Sequence, residues 1–389
     1  MELQPRHDPF GAFVSVLNRP GRPGGPLSGL RLCVKDNIEV EGAAYTAGHP
    51  LFRERIGKQT AKSVSSLLEA GADLVGMAST DAGGLGMTTP SVDNPWLPGK
   101  TVGGSSGGCA AAVAGGLADL ALGTDTGGSV RVPAACTNIY GFKPTYGLVP
   151  TDGAYPLASQ FDHIGLMARD LDIITTGVDV LLGPGRPPYV PPKLRICVER
   201  NLPAYTNPDN RTRFAEVVTR LTEAGHEILV SDLPPREAMT EDFGVVVVAE
   251  AKAMYDAFSE EQKALLGPAA RKALAYDLDK GVLERSKARL DELKSEFEIQ
   301  FDKWDIMISP TLLIAPPPRG ENAVVIHGVR QGILPLFLTG TCFCNVLGTP
   351  ALSMPVGPPS RPFSLHMTTE LESDRELLAM ADCLRRALC

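Results

Sequence analysis

The chain has 389 residues, of which 43% are hydrophobic and 21% charged, a globular composition with ample material for a core. A net charge of −8 with no basic run argues against a nucleic-acid backbone as partner. MELQPRHDPF at the start holds no apolar signal region, and no apolar run approaches the ~18 residues of a membrane span, so a cytoplasmic protein is expected.

In chain order, LRLCV (30–34) reads as a strand, SVSSLLEAG (63–71) as a helix and DLVGM (73–77) as a strand. GGSSGGCAAAVAGGLADLALGTDTGGSVRVP (103–133) then offers two serine-bearing glycine clusters, joined by a small-residue helix and the strand LALGT (120–124). Twelve of the 40 glycines fall between Gly99 and Gly147, a density that means tight turns or close approach of backbone to another group. GPGRPPYVPP (183–192) reads as a surface crossover. LRICVE (194–199), HEILVS (226–231), DIMISP (305–310) and ALSMPV (351–356) are strand-like; RTRFAEVVTRLTEAG (211–225) and VLERSKARLDELKSEFEIQF (282–301) are amphipathic. Strands interleaved with helices predict an α/β layered fold around a largely buried sheet.

Ser129 follows Thr126-Gly127-Gly128 at the end of LALGT. A nucleophile on such a turn would have glycine amides facing an incoming carbonyl oxygen. The competing reading is a glycine turn whose serine caps the next helix. A nucleophilic serine needs a base, yet none of His7, His49, His163, His226, His327 and His366 stands in a Ser-His-Asp context, and no GxSxG elbow occurs. A desolvated lysine is the alternative base, and Lys35, leaving the strand LRLCV at its end, is the candidate; a strand-end lysine can equally be a surface charge. Neither GxxxxGK[ST] nor GxGxxG is present, so no nucleotide cofactor is expected. The eight cysteines at 33, 109, 136, 197, 342, 344, 383 and 389 form no CxxC pair, and Cys342-x-Cys344 has no histidines in ligand spacing. They read as free thiols in a reducing compartment, with no metal site.

GGSSGG (103–108), GTDTGGSVRVPA (123–134), YGFKPTYGLVP (140–150) and VKDNIEVEG (34–42) together resemble the amidase signature family. NPW (94–96), FDHIGLMARDL (161–171), DIMISPTLLIAPPP (305–318) and NVLGTPALSMPVG (345–357) extend the resemblance. It implies an α/β fold with a central mixed sheet covered by helices on both faces. It implies one domain over 1–389: a core at about 27–183, a variable substrate-shaping region at about 193–330, and returning strands at about 305–389. It implies that Lys35 is the base, Ser129 the nucleophile, and Ser105, in a cis peptide with Gly104, the serine bridging them. The amides of Thr126, Gly127, Gly128 and Ser129 would hold the oxyanion, Asp125 and Arg131 would fix the loop, and Ser106 would support the network.

Departures from the family pattern bear on the substrate. GMAS (76–79) stands where many members read GKTN, and TDAGGLGM (80–87) puts glycines where bulkier side chains would line the acyl pocket. After PVG (355–357), the usual loop and strand are compressed into PPSRPFSLHM (358–367). The implied activity is cofactor-free hydrolysis of a small-molecule amide through a Ser129 acyl-enzyme, with arylacetamides such as indole-acetamide as one substrate class. Alternatives are the A subunit of a tRNA-dependent amidotransferase, whose MDEF segment is not preserved at TDAGG (80–84), a biosynthetic acyl transferase, and a non-catalytic scaffold. No nucleic-acid or membrane partner is expected, and a homodimer is left open.

Overall fold

The computed structural model describes residues 8–388, so His7 and Cys389 lie outside the described residues. The strands are β1 (Phe13–Arg19), β2 (Arg31–Lys35), β3 (Asp73–Ala78), β4 (Leu120–Asp125), β5 (Tyr140–Lys143), β6 (His163–Ala168) and β7 (Arg195–Glu199). They continue with β8 (Glu227–Ser231), β9 (Ile306–Pro310), β10 (Ala323–Ile326), β11 (Val329–Gly332), β12 (Ala351–Pro355) and β13 (Ser364–Thr368). Eleven of them form one sheet in the order β1-β3-β2-β4-β6-β5-β12-β13-β9-β7-β8, while β10 and β11 pair as a separate hairpin.

The sheet is mixed. β3-β2-β4 is a parallel triplet and β9-β7-β8 a second one. The strands between them, β6-β5-β12-β13, run antiparallel to their neighbours. In both triplets the chain leaves the central strand, returns on one side, and then crosses to the other. β2 and β7 are therefore topological switch points, whose carboxyl ends open onto a crevice.

Strand alternation assigns the faces. Leu32, Val34, Leu120 and Leu122 pack with Val64, Leu67, Ile174, Val178, Phe214 and Leu377 from helices Lys62–Glu69, Leu171–Leu182, Pro208–Glu223 and Asp374–Leu388. Truncating a leucine in such a core, Leu122→Ala for example, costs about 2–5 kcal/mol. Cys33 and Ala121, one residue out of phase, face the wholly buried helix Gly107–Ala114. On that same side of the sheet, Cys197 and Met307 pack against helices Arg236–Asp256 and Lys280–Glu298. The expected architecture, a mixed sheet between two helical layers, is the one observed.

PPSRPFSLHM (358–367), read as a compressed loop and strand, does end in a strand: Ser364–Thr368 forms β13 and joins β12 to β9. Helix Arg236–Asp256 buries Met239, Phe243, Val246, Val247, Ala251 and Tyr255 on a broad face, so its β-branched run shows no clear helical period. The 183–192 segment is an exposed connection between helix Leu171–Leu182 and β7, as its prolines indicate. Cys33, Cys109, Cys136, Cys197, Cys342, Cys344 and Cys383 are all free. No helix among the described residues is long and apolar enough to cross a membrane.

Candidate active site

Lys35 is the last residue of β2, and its switch-point position carries its side chain into the crevice instead of onto a solvated face. It is fully buried. Its Nζ lies 2.7 Å from Ser105 Oγ and 2.7 Å from Thr124 Oγ1. Asn37 Nδ2 donates to the same Thr124 oxygen at 3.0 Å. Burial lowers the Lys35 ammonium to about 8, against the opposing pull of Cys109, Asp81, Asp125 and Asp162. A surface-charge reading of Lys35 is thereby excluded.

Ser105 lies just before the buried helix Gly107–Ala114, and the Gly104–Ser105 peptide is cis. Its carbonyl accepts from Thr80 Oγ1 at 3.0 Å and Thr89 Oγ1 at 3.3 Å. Ser106 ties this segment to the next one: its amide donates to Ser129 O at 3.2 Å and its Oγ to Thr124 O at 3.2 Å.

Ser129 sits in the turn between β4 and helix Arg131–Cys136. That helix has Val130 at its N-cap position with no side-chain cap, so Ser129 is not a capping serine. The Ser129 hydroxyl donates to Met87 Sδ at 3.5 Å. The described hydrogen bonds thus join Lys35 to Ser105, while Ser129 is held beside them through its backbone.

A buried ion pair shapes that turn. Asp125 Oδ1 accepts from Gly128 N at 2.8 Å and Arg131 Nη2 at 2.8 Å, and Oδ2 accepts from Val130 N and Arg131 Nε, each at 3.1 Å. Arg131 also donates to Thr341 O at 2.8 Å and Asn345 Oδ1 at 2.7 Å; Asn345 Nδ2 returns to Asp125 Oδ1 at 2.9 Å. Burial pushes the Asp125 carboxyl up, but the charge and hydrogen bonds of Arg131, with Asn345, outweigh it and hold it well below the usual range. Gly128 adopts φ 134°, and a Cβ there would collide with Thr341 Oγ1, so glycine is required. The Gly128 N–H is spent on Asp125, which narrows the expected oxyanion set to the amides of Thr126, Gly127 and Ser129.

Gly83 and Gly84 of the departing segment do border the site. A Cβ on Gly84 would stand 3.6 Å from Ser105 Oγ, and one on Gly83 would collide with Tyr255 Oη. The absent side chains leave room for Tyr255, whose hydroxyl meets His49 Nε2 at 3.0 Å. Asp81, in the same segment, is raised by burial to about 6, against the hydrogen bonds of Thr88 and Thr89 and the charge of Lys35. Thr124, Asn37, Asp81, Met87 and Asn345 were not among the candidates. Thr124 and Asn37 lie inside the family-like motifs but as small neutral polar residues; Asn345 acts from 214 positions away.

The amidase family profile matches residues 15–378. The chain belongs to the amidase signature family. Curated relatives include the A subunit of glutamyl-tRNA(Gln) amidotransferase from Natronomonas pharaonis, 30% identical over 397 residues, covering 89% of this chain and 92% of that protein. Its counterpart from Thermus thermophilus is 32% identical over 423 residues, covering 96% and 88%. A crystal structure of an amidase superposes with a TM-score of 0.85 at 29% identity, over 94% of this chain and 86% of that one. The A subunit of the Thermotoga maritima amidotransferase shares the fold, with a TM-score of 0.77 at 24% identity over 95% and 86%.

Proposed function

We propose that this protein cleaves the C–N bond of a carboxamide through an acyl-enzyme on Ser129. The observation that carries this reading is a wholly buried lysine, lowered to about 8, with its Nζ 2.7 Å from Ser105 Oγ at a switch-point crevice. Neutral Lys35 takes the Ser105 hydroxyl proton while Ser105 Oγ takes that of Ser129. A rotation of the Ser129 hydroxyl off Met87 precedes this step. Ser129 Oγ then bonds the amide carbon, and the carbonyl electrons move onto oxygen, held by the amides of Thr126, Gly127 and Ser129. Collapse expels the amine, protonated back through Ser105, and water cleaves the remaining ester by the same route. No metal or cofactor is assigned a role, and a cytoplasmic location is proposed with it.

A second reading is favoured by the comparisons. The relatives from Natronomonas pharaonis and Thermus thermophilus are named as the A subunit of glutamyl-tRNA(Gln) amidotransferase, so glutamine as the amide, and a protein partner receiving the ammonia, fit this chain. The chemistry at Ser129 is common to both readings; the fate of the nitrogen differs. The test is ammonia release by the purified chain from glutamine, asparagine and indole-acetamide, with fluorophosphonate labelling of the nucleophile. Ser129→Ala should abolish labelling and lower turnover by several orders of magnitude. Near-normal turnover in that variant would remove Ser129 from the mechanism, and release from glutamine alone would favour the amidotransferase reading.

A further inference from the structure

Beside the Lys35–Ser105 pair lies a cavity of 120 Å³, walled by Asn37, Thr124, Thr126, Tyr155, Asp162 and His163. Thr124 connects it to the base, since its Oγ1 is 2.7 Å from Lys35 Nζ. Gly84 also lines it and approaches Ser105 Oγ.

The wall is rich in acceptors. Asn37 spends its Nδ2 on Thr124, and its Oδ1 is buried without a partner. His163 Nδ1 lies 2.7 Å from the Phe161 carbonyl, which can only accept, so Nδ1 carries the ring proton. Burial, aided by Lys143, holds the ring far below its usual pKa, leaving Nε2 a bare lone pair that is also buried and unpartnered. The Asp162 carboxylate accepts from Thr126 Oγ1 at 2.5 Å and from the amides of Leu157 and Ala158, and keeps lone-pair capacity. The Tyr155 hydroxyl is buried beside that of Tyr255, which itself meets His49 Nε2.

Charge points the same way. Asp162 is the one acid among the lining residues, and no lysine or arginine lines the cavity. Behind it Glu250 accepts from the Ser159 amide at 2.8 Å. Arg55 lies 5.4 Å from the centre of the Tyr155 ring, but its guanidinium is stacked closer, at 4.0 Å, on Tyr45 and Phe52. Unpartnered acceptors beside the Asp162 carboxylate suit a ligand with several N–H donors and a positive charge when Lys35 is in its neutral form.

We propose that this cavity is an ammonium subsite, which takes the primary amino group of the amide substrate against Asn37 Oδ1, His163 Nε2 and the Asp162 carboxylate. The proposal rests on the reading that Ser129 cleaves amides, and it narrows the substrate class to amides bearing a primary amine.

The test compares kcat/KM for pairs that differ only in that amine: glycinamide with acetamide, and glutamine with 4-carbamoylbutanoate. The amine-bearing member of at least one pair should be preferred about tenfold or more, the scale of one charge-assisted hydrogen bond. His163→Phe and Asp162→Asn should each cut that preference about tenfold, whatever they do to the neutral substrate. Methylammonium titrated calorimetrically into Ser129→Ala protein should bind, and bind more weakly when Asp162→Asn is added. Ser129-dependent hydrolysis with equal kcat/KM within both pairs overturns the subsite while leaving the amidase reading intact. Methylammonium binding without substrate preference also overturns it, because the cavity then holds only free amine. Absence of both hydrolysis and methylammonium binding overturns the amidase reading and the subsite together.

Discussion

The two parallel triplets of the sheet place a basic side chain at each switch point, and they use it differently. At the carboxyl end of β2, Lys35 is buried among hydroxyls with no carboxylate bonded to it. At the carboxyl end of β7, Arg236 is buried against Glu199, with Nε 2.9 Å from Oε1 and Nη2 on the other carboxylate oxygen. Arg236 lines a cavity of 720 Å³ with Glu199, Arg200, Arg211 and Glu237, larger than the one beside Lys35. Cavity size therefore does not distinguish the end proposed as reactive. Charge balance does: a lysine left without an anion can shed its proton, whereas an arginine paired with a carboxylate remains a fixed cation.

The sharpest way to break this comparison is to remove the lysine. Lys35→Met should lower kcat by at least about 10³-fold, as loss of a unit in a coupled triad does. Its melting temperature should hold or rise, because an unpaired buried amine is gone. A folded Lys35→Met enzyme with near-normal turnover would make Lys35 a structural residue like Arg236. Ser105→Ala should follow with a fall in kcat of at least ~10²-fold at nearly unchanged stability, measured by single-turnover kinetics and thermal melting. Small loss there would leave the base without a path to Ser129.

The second triplet should respond in stability instead. Arg236→Met leaves Glu199 buried and unpaired, a loss of about 3–5 kcal/mol visible in the urea midpoint, with the rate of the remaining folded enzyme little changed. The smallest effect is the pH response. With Lys35 lowered to about 8, kcat/KM should rise about tenfold per pH unit below that value and level off above it, since the neutral amine is the active form. A profile that peaks in acid and declines above neutrality would assign the base elsewhere.

The layered fold was legible because β2, β3, β4 and β7 announce themselves as short apolar runs between helical patterns. Helix Arg236–Asp256 was not, since burial on a broad face erases the polar stripe that marks a helix. Strand β13 was read only within a compressed loop and strand, without its bounds, because its pairing with β12 and β9 is decided far from the local residues. At the site, glycine clusters and a strand-end lysine are chemically conspicuous, so Lys35, Ser105 and Ser129 could be singled out. Thr124, Asn37 and Met87 carry no charge or glycine signature, and only contact geometry reveals them. Asn345 matters through a neighbour more than 200 positions earlier, a relation that no local pattern encodes.

That distant contact has a consequence for the turn that carries Ser129. Thr341 and Asn345 close the buried network around Asp125 and Arg131, and Thr341 Oγ1 also donates to the Gly127 carbonyl at 2.6 Å. Lys35, Ser105 and Ser129, the residues proposed for the chemistry, all precede residue 130, yet the turn carrying Ser129 is fastened by residues more than 200 positions later. Asp125 and Arg131 pair with each other and with the Gly128 and Val130 amides inside the turn, and the later segment adds the outer hydrogen bonds of that pair. The shape of the Ser129 turn therefore depends on two widely separated parts of the chain being folded together.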